Sequence, residues 1–207
     1  MKNTVVIAHY NENLDWVKNI NPDLNICIYS KTDEKYNYYP INKGNEAQIY
    51  LKYIVDYYNK LPNKILFLHG HDNSYHQDFD SIFICNNINW DLDEYFSVNR
   101  RDYYQEVSKI FNPREYGWLV NNWNYLFNDI IKLPDKLLHY ACSQFAVSKN
   151  LILNYPKDFY LNLLTWINLT NLDNSISGRL FEYTWNYIFT KNISEKKYEN
   201  NQIFKNV

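Results

Sequence analysis

The sequence predicts an α/β fold: a mostly parallel sheet flanked by helices, with a helical C-terminal part. Three observations carry this reading. Short apolar or β-branched runs recur at Thr4–Ala8, Asn25–Tyr29 and Lys64–Leu68. A polar segment with a candidate helix separates each pair of runs, so the order is strand, helix, strand, helix, strand. The last third of the chain carries apolar residues at helical spacing.

Taken in order, Thr4–Ala8 reads as a buried strand, and His9-Tyr10-Asn11-Glu12-Asn13 as a polar loop. Asn13 is placed to cap a short helix through Ile20, and Asn25–Tyr29 is the second strand. A helix starts at Asn45, with Ala47, Tyr50, Leu51, Ile54 and Tyr58 on one side, and Leu61-Pro62-Asn63 ends it. Lys64–Leu68 is the third strand. Residues 78–135 have weak periodicity; short helices are expected near 101–110 and 121–131. Residues 137–147 read as a further strand region, and Ser148 as the cap of a helix through Leu153. Helices follow over 157–167 and 175–189. Residues 1–193 read as a single domain, and 194–207 as a polar, loose C-terminal tail.

Composition narrows the function. Lys and Arg number 21 against 23 Asp and Glu, a net charge of -2, and no basic stripe is present. A sequence-independent grip on nucleic acid needs such a stripe, so no nucleic-acid partner is expected. Cys27, Cys85 and Cys142 are far apart and odd in number, so they read as small apolar core residues. No apolar run approaches a membrane span and the N-terminus has no signal pattern; a cytoplasmic protein is expected. The 21 Tyr exceed what a core needs, and a compositional bias toward Asn, Lys, Ile and Tyr accounts for them.

The chain has 5 His, and His69, His71 and His76 fall within the stretch 65-ILFLHGHDNSYHQ-77, just where the third strand ends. In open α/β sheets ligands bind beyond the carboxyl ends of the strands. His9, after the first strand, shares that rim if the two strands are parallel neighbours. His-x-His-x4-His with Asp72 has the donors for a divalent cation: imidazole suits Zn, Mn, Fe or Ni, and Asp72 adds a hard oxygen. Gly70 lets the backbone come close to a ligand. The alternative is a polar loop with surface imidazoles. With only Gly44, Gly70, Gly117 and Gly178 in the chain, no Gly-x-Ser-x-Gly elbow, Gly-x-Gly-x-x-Gly fingerprint or P-loop exists.

Several segments resemble a family of uncharacterised proteins known as DUF3431: Val5-Val-Ile-Ala-His-Tyr-Asn-Glu12, Asn42-Lys-Gly-Asn-Glu-Ala47 with Tyr50-Leu51, Phe67-Leu-His-Gly-His71 with His76, Ser143-Gln-Phe-Ala-Val-Ser148 and Arg179-Leu-Phe-Glu-Tyr-Thr-Trp185. More distantly, the opening segment is similar to the first strand and loop of GT-A glycosyltransferases, where that loop holds the nucleotide base. At the place of their Asp-x-Asp metal motif this chain has His69-Gly70-His71-Asp72. Ser143–Ser148 is similar to their segment after the acceptor region. The resemblance implies a GT-A-like (Rossmann-like) sheet. It also implies a UDP- or GDP-linked nucleotide sugar as donor, a carbohydrate or glycan acceptor, and a divalent cation, Mn or Mg, with Zn as a further candidate. His in place of Asp at both motif positions puts the metal and the reaction itself in question.

Sugar transfer needs the leaving diphosphate neutralised, the acceptor hydroxyl deprotonated and the sugar oriented. His71, with His69, Asp72 and His76, is the candidate for the first task. Glu182 is the candidate base; it shares a helix face with Arg179 and Trp185, a trio that also reads as an ion pair beside a core tryptophan. His9, Asn11, Glu12, Lys43, Glu46, Gln144, Arg179 and Trp185 are candidate substrate or nucleotide contacts, though Glu46 also reads as a good first-turn residue and Gln144 as a strand-edge amide. Two other functions fit the same residues: a non-catalytic nucleotide- or sugar-binding protein, and a metal-dependent hydrolase with His69, His71 and His76 holding zinc and water.

Overall fold

The protein is described here from a computed structural model covering residues 2–92, 94–107, 113–191 and 198–207. Six strands form the main sheet: β1 (Thr4–His9), β2 (Asn25–Ser30), β3 (Asn37–Tyr38), β4 (Lys64–His69), β5 (Phe96–Ser97) and β8 (Phe145–Ser148), in the order β3-β2-β1-β4-β8-β5. β1 pairs in parallel with both β2 and β4, and β2 with β3. β8 runs antiparallel between β4 and β5. A separate antiparallel ribbon joins β6 (Tyr104–Glu106) and β7 (Leu138–Tyr140). The alternating architecture and mostly parallel sheet agree with the sequence. The expected strand region over 137–147 is two strands in two sheets, divided at Cys142 and Ser143, which take positive φ (71° and 35°).

Helix α1 (Asn45–Tyr57) follows β3, and α2 (Ser81–Asn87) follows β4. The second half carries α3 (Pro113–Asn121), α4 (Trp123–Phe127), α5 (Lys149–Ile152), α6 (Lys157–Leu169), α7 (Asn174–Glu182), α8 (Trp185–Thr190) and α9 (Asn200–Ile203). Three expectations need correction. The segment after Asn13 is a 3-10 turn over Asp15–Asn19, begun by Asn13 Oδ1 accepting the Asp15 N–H at 2.8 Å. The expected helix near 101–110 gives a 3-10 turn and then β6; residues 108–110 lie outside those described. The expected helix over 175–189 breaks in two, because Thr184 Oγ1 donates to the Leu180 carbonyl at 3.0 Å and competes with the helical ladder.

The period-two alternation of each strand builds a core on each face of the sheet. Val6, Ala8, Ile65, Phe67, Phe145 and Val147 pack with α1 and the C-terminal helices. Val5, Ile7, Leu66, Leu68 and Ala146 face Trp16, Ile84 and Phe204. The described part of the expected tail is docked: Tyr198, Ile203 and Phe204 are buried, and Glu199 and Gln202 form a capping box on α9. Gly178 lets α7 meet α1, since a Cβ there would stand 2.9 Å from the Gly44 carbonyl oxygen.

Candidate active site

The parallel register sets His9 and His69 at the same rim, since Ala8 pairs with His69 and His9 with Ser30. Just past β4 the chain turns at Gly70, where a Cβ would lie 2.7 Å from Glu12 Oε2 and 3.2 Å from the Ala8 carbonyl oxygen. Glycine is therefore what lets the loops after β1 and β4 close on each other. The Glu12 carboxylate is held by the N–H groups of Tyr10 (2.7 Å) and Asn11 (3.2 Å).

His69, His71 and His76 converge. Their ring centroids are 5.0, 5.4 and 5.4 Å apart, and one ligating nitrogen from each lies within 4.8 Å of the others. Nε2 of His69 and of His71 are buried and accept or donate no hydrogen bond. Burial lowers the pKa of all three rings, reinforced for His69 by its two neighbours and opposed for His71 by Glu12 and Asp72. These shifts favour the neutral rings, the form that ligates a cation and not the form that holds an anion. Orphaned ring nitrogens on converging neutral imidazoles fit a divalent ion. Asp72 lies outside the converging set, with Oδ1 buried and unbonded.

Two adjoining cavities meet at Asn45, Glu46, His69 and His71. The first, about 440 Å³, is lined further by His9, Tyr10, Glu12 and Lys31. The second, about 310 Å³, reaches Tyr75, His76, Cys142, Arg179 and Glu182. Burial lifts Glu182 to about 7; the Glu46 carboxylate adds to the shift, and a hydrogen bond from the Cys142 backbone and the Arg179 charge oppose it. Glu46 is itself raised by burial, against the opposing charge of Lys31.

The other predicted residues divide between cavity wall and framework. His9 has both ring nitrogens occupied: Ser30 Oγ accepts the N–H groups of Thr32 and Asp33, so its hydroxyl donates to Nδ1 at 2.9 Å, and Nε2 donates to the Glu12 carbonyl at 3.2 Å. His9 thus braces the rim. Asn11 is exposed and does not line either cavity. Lys43 caps the end of α6, its Nζ donating to the carbonyls of Thr170 and Leu172. Arg179 pairs with Glu115, Nη1 to Oε1 at 2.7 Å, and not with Glu182. Trp185 is 1% exposed and stacked on Phe189 in the core, and lines neither cavity. Gln144 is buried behind the histidines, donating to Asn99 and accepting from the His69 N–H.

Sequence reasoning missed Lys31 and Asn99. Lys31 follows β2 on the same rim; it is buried, donates to the carbonyls of Lys43 (2.9 Å) and Asn45 (2.8 Å), and burial lowers it to about 8. Its place directly after a parallel strand was the available signal. Asn99 carried none, because its partner His76 lies 23 residues away.

Fold and site together define an α/β protein with a three-imidazole centre at the carboxyl rim of a mostly parallel sheet. The chain belongs to the family described as protein of unknown function (DUF3431), which matches residues 4–92 and 100–203. No curated protein and no solved structure matches. Among the described residues no helix is long and apolar enough to cross a membrane.

Proposed function

We propose that the protein is a GT-A-like glycosyltransferase that moves a sugar from a UDP- or GDP-linked donor to a carbohydrate hydroxyl with the help of a divalent cation. One observation carries the reading. The loop after β1 and the loop after β4, which by resemblance would hold the nucleotide and the metal, border one cavity of about 440 Å³. A cavity of this size suits a small ligand.

His69, His71 and His76 would hold the cation. Bound, it would neutralise the leaving diphosphate. Because all three ligands are neutral, its charge stays uncompensated toward the phosphates. The Lys31 ammonium, already fixed by two carbonyls, adds a cationic donor on the same wall. Glu182, poised at about 7 in the adjoining cavity, suits removal of a proton from the acceptor hydroxyl at neutral pH. Arg179 and Tyr75 line that second cavity and would orient the acceptor.

A second reading, a metal-dependent hydrolase, is favoured by the converging set itself, since three imidazoles supply the protein ligands of a zinc–water centre without any phosphate. A thermal melt separates the two. For a transferase, Mn²⁺ or Zn²⁺ together with one nucleoside diphosphate raises the midpoint more than either alone, and His71→Ala abolishes the rise. A metal shift untouched by every nucleotide, with metal retained through purification, sinks the transferase and leaves the hydrolase.

A further inference from the structure

Behind the three histidines lie two buried amides whose orientation the backbone settles. Asn99 and Gln144 are each 1% exposed. Asn99 Nδ2 donates to the Ala141 carbonyl at 2.7 Å. A carbonyl oxygen only accepts, so the Asn99 amide oxygen faces the other way. Gln144 Oε1 accepts the His69 backbone N–H at 3.1 Å. A backbone N–H only donates, so the Gln144 amino group faces Asn99. The two amides meet head to tail, Gln144 Nε2 donating to Asn99 Oδ1 at 3.1 Å.

The same Asn99 oxygen lies 3.0 Å from His76 Nδ1. An amide oxygen has no proton to give, so Nδ1 carries the hydrogen and the lone pair of neutral His76 sits on Nε2. One amide thus fixes the tautomer of His76, and its neighbour anchors the backbone of His69. This is the outer support that metal-binding histidines use to fix ring orientation and strengthen the donor. Among the described residues no carboxylate joins the converging atoms, so the donor set is all imidazole. Imidazole favours borderline ions, whereas Mg²⁺ is held by oxygen.

We propose that Asn99 and Gln144 are positioning residues that preset His76 and His69 as ligands, and that the centre so built takes an ion of the zinc type in preference to magnesium. The inference rests on the metal-centre half of the proposed function and not on sugar transfer.

The test is metal affinity of the metal-free full chain, read by competition with a chromogenic chelator for Zn²⁺, Co²⁺, Mn²⁺ and Mg²⁺. Zn²⁺ should bind at least about 100-fold more tightly than Mg²⁺; equal or reversed affinities overturn the ion preference. Asn99→Leu should weaken Zn²⁺ by about 10–100-fold, while Asn99→Asp, which keeps an acceptor facing His76 Nδ1, should stay within about threefold of the unaltered chain. Unaltered Zn²⁺ affinity in Asn99→Leu overturns the positioning role. Should that variant fail to fold, long-range ¹⁵N spectra of the metal-free unaltered protein decide: a proton on Nδ1 of His76 supports the proposal, a proton on Nε2 sinks it. A chain that binds Zn²⁺ with this tautomer but shows no nucleotide effect supports the inference and removes only the transferase reading.

Discussion

The first 92 residues and the stretch from Glu94 to Lys191 are built in different ways. The first supplies four parallel strands, of which β1, β2 and β4 were read plainly in the sequence and the two-residue β3 was not. The second supplies two short antiparallel strands, a ribbon and most of the helices. They divide the site accordingly. Every converging nitrogen comes from the end of β4 or the loop after it, while Asn99, Gln144, Arg179 and Glu182, which hold or surround those nitrogens, come from the second stretch. Regular local structure can place donors at a rim. Setting their tautomers and adding a poised carboxylate takes residues that only tertiary packing brings near.

Three substitutions probe this division. The largest effect is expected where the two stretches join in the core. Trp185 packs on Tyr50 of α1 and Phe145 of β8, so Trp185→Ala should cost about 3–5 kcal/mol in a denaturant melt. A loss below about 1 kcal/mol would mean that Trp185 does not join the two stretches. Next comes the pH response of Glu182. Its folded pKa, about 7, lies above the ordinary carboxylate value, so the native chain keeps a proton the unfolded chain has lost. Its contribution to stability is therefore full at acid pH and is lost as pH rises from about 4.5 to about 7. In metal-free melts, the stability of Glu182→Gln relative to the unaltered chain should climb across that window and then level off. A flat difference contradicts the poised carboxyl. The smallest effect belongs to the corner between β7 and β8. Ser143 has a φ of 35°, in the left-handed region, so Ser143→Gly should stabilise by about 1 kcal/mol or less.

The legibility of the sequence follows the same division. Strands of five or six residues with clean alternation, and α1 with its apolar face, could be read directly. The His69, His71 and His76 cluster was equally visible, because its ligands lie within one short loop. Strands of two or three residues, such as β5 and β6, are too short to show a period, which is why no strand was placed over residues 78–135 and the segment of β6 was read as helix. Contacts were hidden for a related reason. The pairing of Arg179 with Glu115 spans 64 residues, so the nearer Glu182 looked like its partner. Trp185 looked available on a helix face, but the chain covers that face completely. Gln144 was picked out by motif, yet its amide faces inward to the backbone of β4 and not outward to a substrate.

The bond from Gln144 to the His69 N–H crosses 75 residues of sequence. A growing chain therefore has all three histidines long before it has the amide that anchors the first of them. Until β8 seats against β4, the backbone of His69 lacks that anchor. In the proposed metal centre the support behind His69 would therefore be complete only once the last strand of the sheet is in place. A cation held by that centre would then be a receipt for the pairing of β8 with β4.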